Sequence, residues 1–397
     1  MEAGRLLRRD GFTINNMPEA VSEPITGRPW VVIAFLVILA LLGFVSVSRL
    51  VDRFQQEEKA LARHLYRQGL EEQQAGKEDQ AIAQFRAALG YDPDNFQYQL
   101  GLARALAGGR TQEAESYLIS LWERFPQNGE VNLALGRLAV QERSLDRAIR
   151  YYHNAIYGLW VSDAEQSRLK AWFELIRVLL RLEARQQAQA ELLSLSANLP
   201  PNPEFELQTA DLFAEVQDYE HALSEYRRVL GADPANSSAL AGAGQAAYKL
   251  SRYRTAAGYL EAAAKASPQD AQLTQLLSIS QLILENDPFN RRISREERDR
   301  RLRQIFDDAG QRLDSCPGAQ QAPMSNPQPI EPMSPLKVRW SKIKPKLALL
   351  GTGGESDLAD EIMDLVLQIE QQTAACGNTV KDQALLLLAE NRAGVEQ

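Results

Sequence analysis

The stretch AIAQFRAALGYDP, residues 81–93, carries the pattern that decides the fold. It places a small residue at Ala81, an aromatic residue four positions later at Phe85, a second small residue at Ala88 and a proline at Pro93. A similar order of small and large apolar residues recurs along the chain, usually with the proline. The further occurrences are Ala114-Leu118-Leu121-Pro126, Ala148-Tyr152-Ala155, Ala188-Leu192-Leu195-Pro200, Ala222-Tyr226-Val229-Pro234 and Ala256-Leu260-Ala263-Pro268.

The spacing of these motifs is nearly constant. Successive first alanines lie 33, 34, 40, 34 and 34 residues apart. A period of 34 residues is the signature of tetratricopeptide repeats, which residues 62–270 therefore resemble. The resemblance implies an all-α fold, an α-solenoid of about six helix pairs. It also implies a concave face, lined by the first helix of each pair, that binds protein or peptide partners.

A second small or apolar position precedes each first alanine by eleven or twelve residues. It predicts a close crossing of the two helices of each pair, and the proline is expected to end the second helix. The third unit has Trp160 where the proline is expected, and extra residues follow from Val161 to Gln166. We expect the regular stacking to bend or break there. The upstream positions are Gly69, Ala103, Gly136, Ile176, Ala210 and Gly244.

An uncharged run precedes the repeats. Residues 29–48, PWVVIAFLVILALLGFVSVS, contain no charged side chain, and as a helix they would span about 30 Å, the thickness of the bilayer core. A buried core helix would show a polar face, and a cleavable signal peptide ending near Ser46 and Ser48 would have a shorter apolar region. The sequence therefore predicts a transmembrane helix after an N-terminal tail, residues 1–28.

Two helices are expected beyond the repeats, in residues 271–314. Residues 271–284 are predicted to form the helix that covers the apolar end of the last repeat. The arginine-rich segment that follows, RRISREERDRRLR, could suggest a phosphate or nucleic-acid site. Its acids stand four residues before its arginines, as Glu297 does before Arg301, and this order favours a solvated helix beginning with a capping box at Ser294.

The C-terminal part begins with a proline-rich linker, residues 315–335, followed by residues 336–397. The basic stretch KVRWSKIKPK could meet anionic lipid or an acidic partner, but its composition favours the flexible end of a linker. Two helices are then expected, Asp357 to Ala375 and Val380 to Arg392. Such a hairpin buries too little surface alone and must dock on something.

The chain has two cysteines, Cys316 and Cys376. A disulfide between them would hold the C-terminal hairpin against the end of the array across the linker. The alternative is two unrelated thiols, and an oxidising compartment favours the bond. The sequence leaves both readings open.

Composition and motifs argue against several classes of function. A formal net charge of −8 disfavours a general nucleic-acid binder, which needs a concentrated basic surface. His64, His153 and His221 lie in separate units without metal-binding spacing, and no nucleophile elbow or nucleotide-binding loop is present. We therefore expect no catalytic residues, no cofactor, no metal and no small-molecule substrate, and hence no enzyme.

Arginines occupy the position after the small residue of the first helix in units two, three and four: Arg104, Arg137 and Arg177. In proteins of the resembled family this position faces the concave surface, so the three are predicted to form a groove for a partner with acidic segments. Unit five reverses the sign. Arginine is also common on exposed helices, which is the alternative reading. The predicted groove further includes Lys170, Phe173 and Arg181, and the acidic residues of unit five are Glu204, Asp211 and Glu215.

The function that combines these features is a membrane-tethered scaffold that captures partner proteins in the concave face. A permanent structural subunit of a membrane complex, or a chaperone-like accessory in envelope protein assembly, are the alternatives. Positive charges on the two sides of residues 29–48 are nearly balanced. Because the opposite orientation would carry a charged leader of 28 residues across the membrane, we expect the repeats outside the cytoplasm, in the periplasm if the protein is bacterial.

Overall fold

The computed structural model describes residues 29–316, 334–350, 355–377 and 379–393. Every regular element among them is helical, with 17 α-helices and two short 3-10 turns. The chain divides into two compact units at Ala148 and Ile149, inside the sixth helix, and each unit is a series of antiparallel helices. The α-helices are α1 Pro29–Gln74, α2 Glu78–Tyr91, α3 Phe96–Leu106, α4 Thr111–Arg124, α5 Gly129–Gln141, α6 Leu145–Ile156, α7 Ala164–Arg181, α8 Arg185–Ala197, α9 Pro203–Glu215, α10 Tyr219–Ala232, α11 Ser237–Lys249, α12 Tyr253–Ala266, α13 Ala271–Asn286, α14 Arg295–Ser315, α15 Ser334–Ile343, α16 Glu355–Thr373 and α17 Val380–Ala393.

The first helix is continuous from the apolar run into the first repeat. α1 spans 46 residues, and its apolar N-terminal part is exposed and is long and apolar enough to cross a membrane. Its C-terminal part packs against α2 and buries Ala62. The sequence predicted a separate span at residues 29–48. No break follows that run, because residues 49–61 contain neither glycine nor proline.

The helix pairs follow the predicted motif. All six first alanines lie on the second helix of a pair and are fully buried. The upstream position lies on the first helix and contacts its partner closely: a Cβ added at Gly69 would lie 2.6 Å from the Phe85 ring, and one at Gly244 would lie 2.7 Å from Leu260. Small residues at the crossing therefore set how near the two helices of a pair approach.

The turn inside a pair has a repeated backbone conformation. Five residues before the first alanine the chain adopts a positive φ in five of the six units. Glycine serves this role at Gly76, whereas side chains occupy it elsewhere, where left-handed backbone is less favourable. The other four positions are Arg143, Glu183, Gln217 and Ser251.

The connection between pairs also has a repeated device. The second helix ends two or three residues before the motif proline, and an Asn or Asp two residues after that proline caps the next helix by accepting from its backbone N–H groups. The third unit lacks the proline, and the residue preceding α7, Asp163, has left-handed backbone and accepts no capping hydrogen bond. The capping residues are Asn95, Asn128, Asn202, Asn236 and Asp270.

The C-terminal helices form one hydrophobic cluster with the end of the array. α13 packs on α12 as a covering helix would, and α17 packs on α13 in turn, while α16 packs on α14. The expectation of a solvated charged helix at α14 is wrong for one face. Ser294 caps it and Glu297 pairs with Arg301 as predicted, but Ile305 and Phe306 are among the residues of α14 buried in this cluster.

The basic stretch after the linker is also helical and packed, contrary to the flexible segment expected. Leu336 and Ile343 of α15 are buried, and the Trp340 ring stacks on Phe306 with a centroid distance of 5.2 Å. The apolar residues at 336, 340 and 343 share one helical face, which the charge of the stretch conceals in the sequence. The proline-rich linker, residues 315–335, lies largely outside the described residues.

Candidate functional site

In the N-terminal unit, the predicted groove residues Arg104 and Arg137 lie on first helices α3 and α5. The Arg104 guanidinium is partly exposed and pairs with Glu130 of α5 at 3.0 Å. Arg137 is exposed. Arg104 is thus already neutralised in part by its own repeats, and a partner carboxylate would compete with Glu130 for it.

In the C-terminal unit, the predicted residues all lie on α7. Lys170, Arg177 and Arg181 are exposed and make no ion pair with a described residue. They stand seven and four residues apart, so they share one face of the helix. α7 therefore presents three unpaired cations along a single stripe, which we call the α7 stripe.

Phe173 does not contribute the expected aromatic surface. Its side chain is 3% exposed and its ring stacks on Phe205 of α9, with centroids 6.0 Å apart. A first helix in a stacked array packs against its own partner helix and against the next pair, which buries a wider stripe than one partner would. Phe173 falls in that wider stripe.

The acidic residues of unit five lie on α9. Glu204, Asp211 and Glu215 are exposed. Asp211 accepts a hydrogen bond of 2.7 Å from the Tyr226 hydroxyl, and burial together with this bond raises the pKa of Tyr226. The change of sign between α7 and α9 is therefore present in the C-terminal unit.

A polar network that the sequence analysis missed joins α6, α7 and α8. The Glu191 carboxylate lies 2.8 Å from His153 Nε2 and accepts from Trp172 Nε1 at 3.0 Å. The bond to Glu191 raises the pKa of His153. These three residues lie far apart in the sequence and form no motif, so only the packing of three helices brings them together.

A cavity of about 350 Å³ lies beside this network, where α6 ends and α7 begins. The residues around it combine buried apolar groups with exposed polar and aromatic ones. The signal available in the sequence was the apolar run YGLWV, residues 157–161, at the break in the repeat period. Among the lining residues are Ile156, Tyr157, Arg168, Leu169, Trp172 and Asn198.

Cys316 and Cys376 form a disulfide in this structure, with their Cα atoms 5.7 Å apart. Beside it, Arg312 pairs with Glu370 at 3.0 Å and with Asp382, and donates to the backbone carbonyl of Gly377 at 2.7 Å. Burial raises the pKa of Glu370 to about 7, although Arg312 opposes the shift. The bridge and this charged cluster together connect α14, α16 and α17.

Comparison with known families identifies the repeats. The profile of the tetratricopeptide repeat family matches residues 66–129, 105–164 and 207–271. The chain contains tetratricopeptide repeats. The matched ranges cover the first three predicted units and the last two, and they leave out α7 and α8, the pair that follows the break.

Several known proteins resemble the chain. It is 27% identical over 196 residues to cellulose synthase operon protein C of Escherichia coli (strain K12), across 48% of this chain and 16% of that protein. Solved structures include pilF of Pseudomonas aeruginosa, with a TM-score of 0.37 and 19% identity, covering 55% of this chain and 97% of that one. PilW, a type IV pilus biogenesis factor, has a TM-score of 0.37 and 16% identity, covering 55% and 98%. The tetratricopeptide protein YrrB has a TM-score of 0.36 and 19% identity, covering 48% and 94%.

Proposed function

We propose that the protein is a scaffold, tethered to a membrane by α1, that binds partner proteins through the first helices of its repeats. The observation that carries the tether is the continuity of α1, whose exposed apolar part leads without a break into the first repeat. A helix of this kind would hold the repeats at a fixed distance from the bilayer, since a helix is far stiffer than a flexible linker. Tetratricopeptide repeats serve as protein-interaction scaffolds, which is consistent with this role.

We place the repeats outside the cytoplasm. The supporting argument is that long C-terminal domains cross membranes with little regard to their charge, whereas a charged leader would need a signal of its own. Similarity to part of cellulose synthase operon protein C agrees with a role in the cell envelope. Protease digestion of spheroplasts tests this. Digestion of the repeats before lysis supports the orientation, and protection until lysis refutes it.

The partner surface is assigned to the α7 stripe, extended by Arg104 and Arg137, and the partner is expected to carry acidic segments. Reversing the charge of Lys170, Arg177 and Arg181 to glutamate should release partners that co-purify with the full chain in detergent. The matched control reverses three exposed arginines on second helices, Arg150, Arg185 and Arg254. This control makes the same change in net charge on a different surface.

Loss of partners in the stripe variant alone supports the scaffold. Equal loss in both variants would mean that net charge, not the stripe, governs binding, and retention in both would refute the assignment. Partners that stay bound stoichiometrically at high salt would instead favour the permanent subunit, because surface ion pairs weaken as salt rises. Mass spectrometry of the co-purified proteins reads all of these outcomes.

A further inference from the structure

The connection between α6 and α7 exposes large apolar side chains. Tyr157, Leu159 and Val161 are 73%, 66% and 80% exposed. Among the described residues beyond α1, these are the most exposed large apolar side chains. Three such residues within five positions form a concentrated apolar surface, and surfaces of this kind on soluble domains mark sites of interaction.

The cavity at the base of this segment is preformed. Ile156, Leu169 and Trp172 are buried residues that line it, while Tyr157 lies at its exposed side. The Trp172 ring contacts Tyr157 edge to face at 6.1 Å, and its Nε1 donates to Glu191. Both contacts fix the indole in place. At about 350 Å³ the cavity lies at the small end of the range for ligand pockets, which suits one inserted side chain.

The charges near the cavity favour an acidic occupant. Glu191 is already bonded to His153 and Trp172, so its carboxylate does not attract a cation. Arg168 lines the cavity, is exposed, and makes no ion pair with a described residue. α7 as a whole carries four cations against two carboxylates, and one of these, Glu174, accepts from the Tyr152 hydroxyl at 2.7 Å.

We infer that residues 157–161 and the adjoining cavity form a second docking site, for an acidic segment of a partner protein that inserts one large apolar side chain. The inserted group would pack on Leu169 and Trp172, and a neighbouring carboxylate would pair with Arg168. This inference rests on the proposed function in one respect, that the chain binds other proteins. The site is separate from the α7 stripe, because Arg168 and Lys170 lie about 200° apart around the helix axis.

The test uses the full chain in lipid nanodiscs and a displayed library of random peptides. Peptides that bind the wild-type protein should be enriched in an aromatic residue or leucine next to Asp or Glu. An enriched peptide is then labelled with fluorescein, and its Kd is measured by anisotropy. We expect Tyr157→Ala and Arg168→Glu each to weaken binding by about tenfold or more, the loss usual for a central contact in an interface.

The matched control is Lys170→Glu, the same charge reversal on the opposite side of α7. Unchanged Kd in this variant, together with the losses above, supports the second site. Loss in Lys170→Glu with none in Tyr157→Ala or Arg168→Glu overturns it and leaves the stripe as the binding surface. No enriched peptide, or equal binding by all variants, overturns it as well. Tyr157 and Arg168 are exposed, so neither change should unfold the protein.

A second measurement locates the peptide directly. A photoreactive benzophenone residue at Leu159 should crosslink to the bound peptide, whereas the same residue at Leu193 on α8, which is also exposed, should not. Crosslinking at Leu193 alone would place the peptide elsewhere and overturn the inference.

Discussion

Reducing the bond between Cys316 and Cys376 should loosen α16 and α17 while leaving the repeats intact. Cys316 is buried at the end of α14 and Cys376 is exposed after α16. Cys376→Ser therefore removes the bridge with little change in packing. The bridge closes a loop with a sequence separation of 60 residues.

The magnitude follows from the length of that loop. Closing about 60 residues removes chain entropy from the unfolded state worth about 4 kcal/mol. Every 1.4 kcal/mol is a factor of ten in an equilibrium constant, so local opening of α16 and α17 should become roughly a thousandfold more frequent. The hydrogen bonds from Arg312 to Thr373 and Gly377 remain in the variant, so these helices should stay docked.

Hydrogen exchange followed by mass spectrometry measures this opening. Protection of α16 and α17 should fall in Cys376→Ser and in the reduced wild-type protein, while α9 to α12 serve as the internal control. Equal protection with and without the bond would show that packing alone holds the C-terminal helices. Two thiols that react with an alkylating agent in the unfolded, unreduced protein would show that the bond is not formed.

Three further predictions concern stability. Gly69→Ala should destabilise the first repeat by about 1–2 kcal/mol in urea unfolding, because overpacking against Phe85 outweighs a gain in helix propensity of about 1 kcal/mol; Gly90→Ala in the same pair meets open space and should not destabilise it. The raised pKa of His153 means that its bond stabilises fully below pH about 6.5 and loses effect as pH rises through the raised value, so exchange protection lost in His153→Gln should be greater at low pH. Glu370 is stable when neutral, so the stability of the wild-type C-terminal helices should fall as pH rises from about 4.3 towards about 7, and this fall should be absent in Glu370→Gln.

The repeat array could be predicted from the sequence because each unit repeats the same local rules. The buried alanines, the small crossing residues such as Gly69 and the helix-ending prolines each have a physical cause that acts within one pair. Six approximate copies let weak signals support one another. The all-α fold and the tetratricopeptide repeats were confirmed for this reason.

The C-terminal region was less predictable because its signals are not repeated. α14 and α15 look solvated by charge, yet each hides an apolar face, with Phe306 on one and Trp340 on the other. Single helices of mixed character depend on a tertiary partner, and the sequence does not name it. Phe173 shows the same limit within the array, since its burial depends on Phe205 in the next pair.

The break after the third unit joins the local and the functional arguments. Elsewhere a proline ends one pair and an Asn or Asp two residues later caps the next, as at Pro93 and Asn95. At 160–163 both devices are missing, so the connection is longer and its apolar side chains remain outside the core. A foldable sequence keeps its local rules consistent and departs from them chiefly where function demands. The departure here exposes Tyr157 beside a preformed cavity, which is a reason to look for a partner at this connection as well as along the first helices.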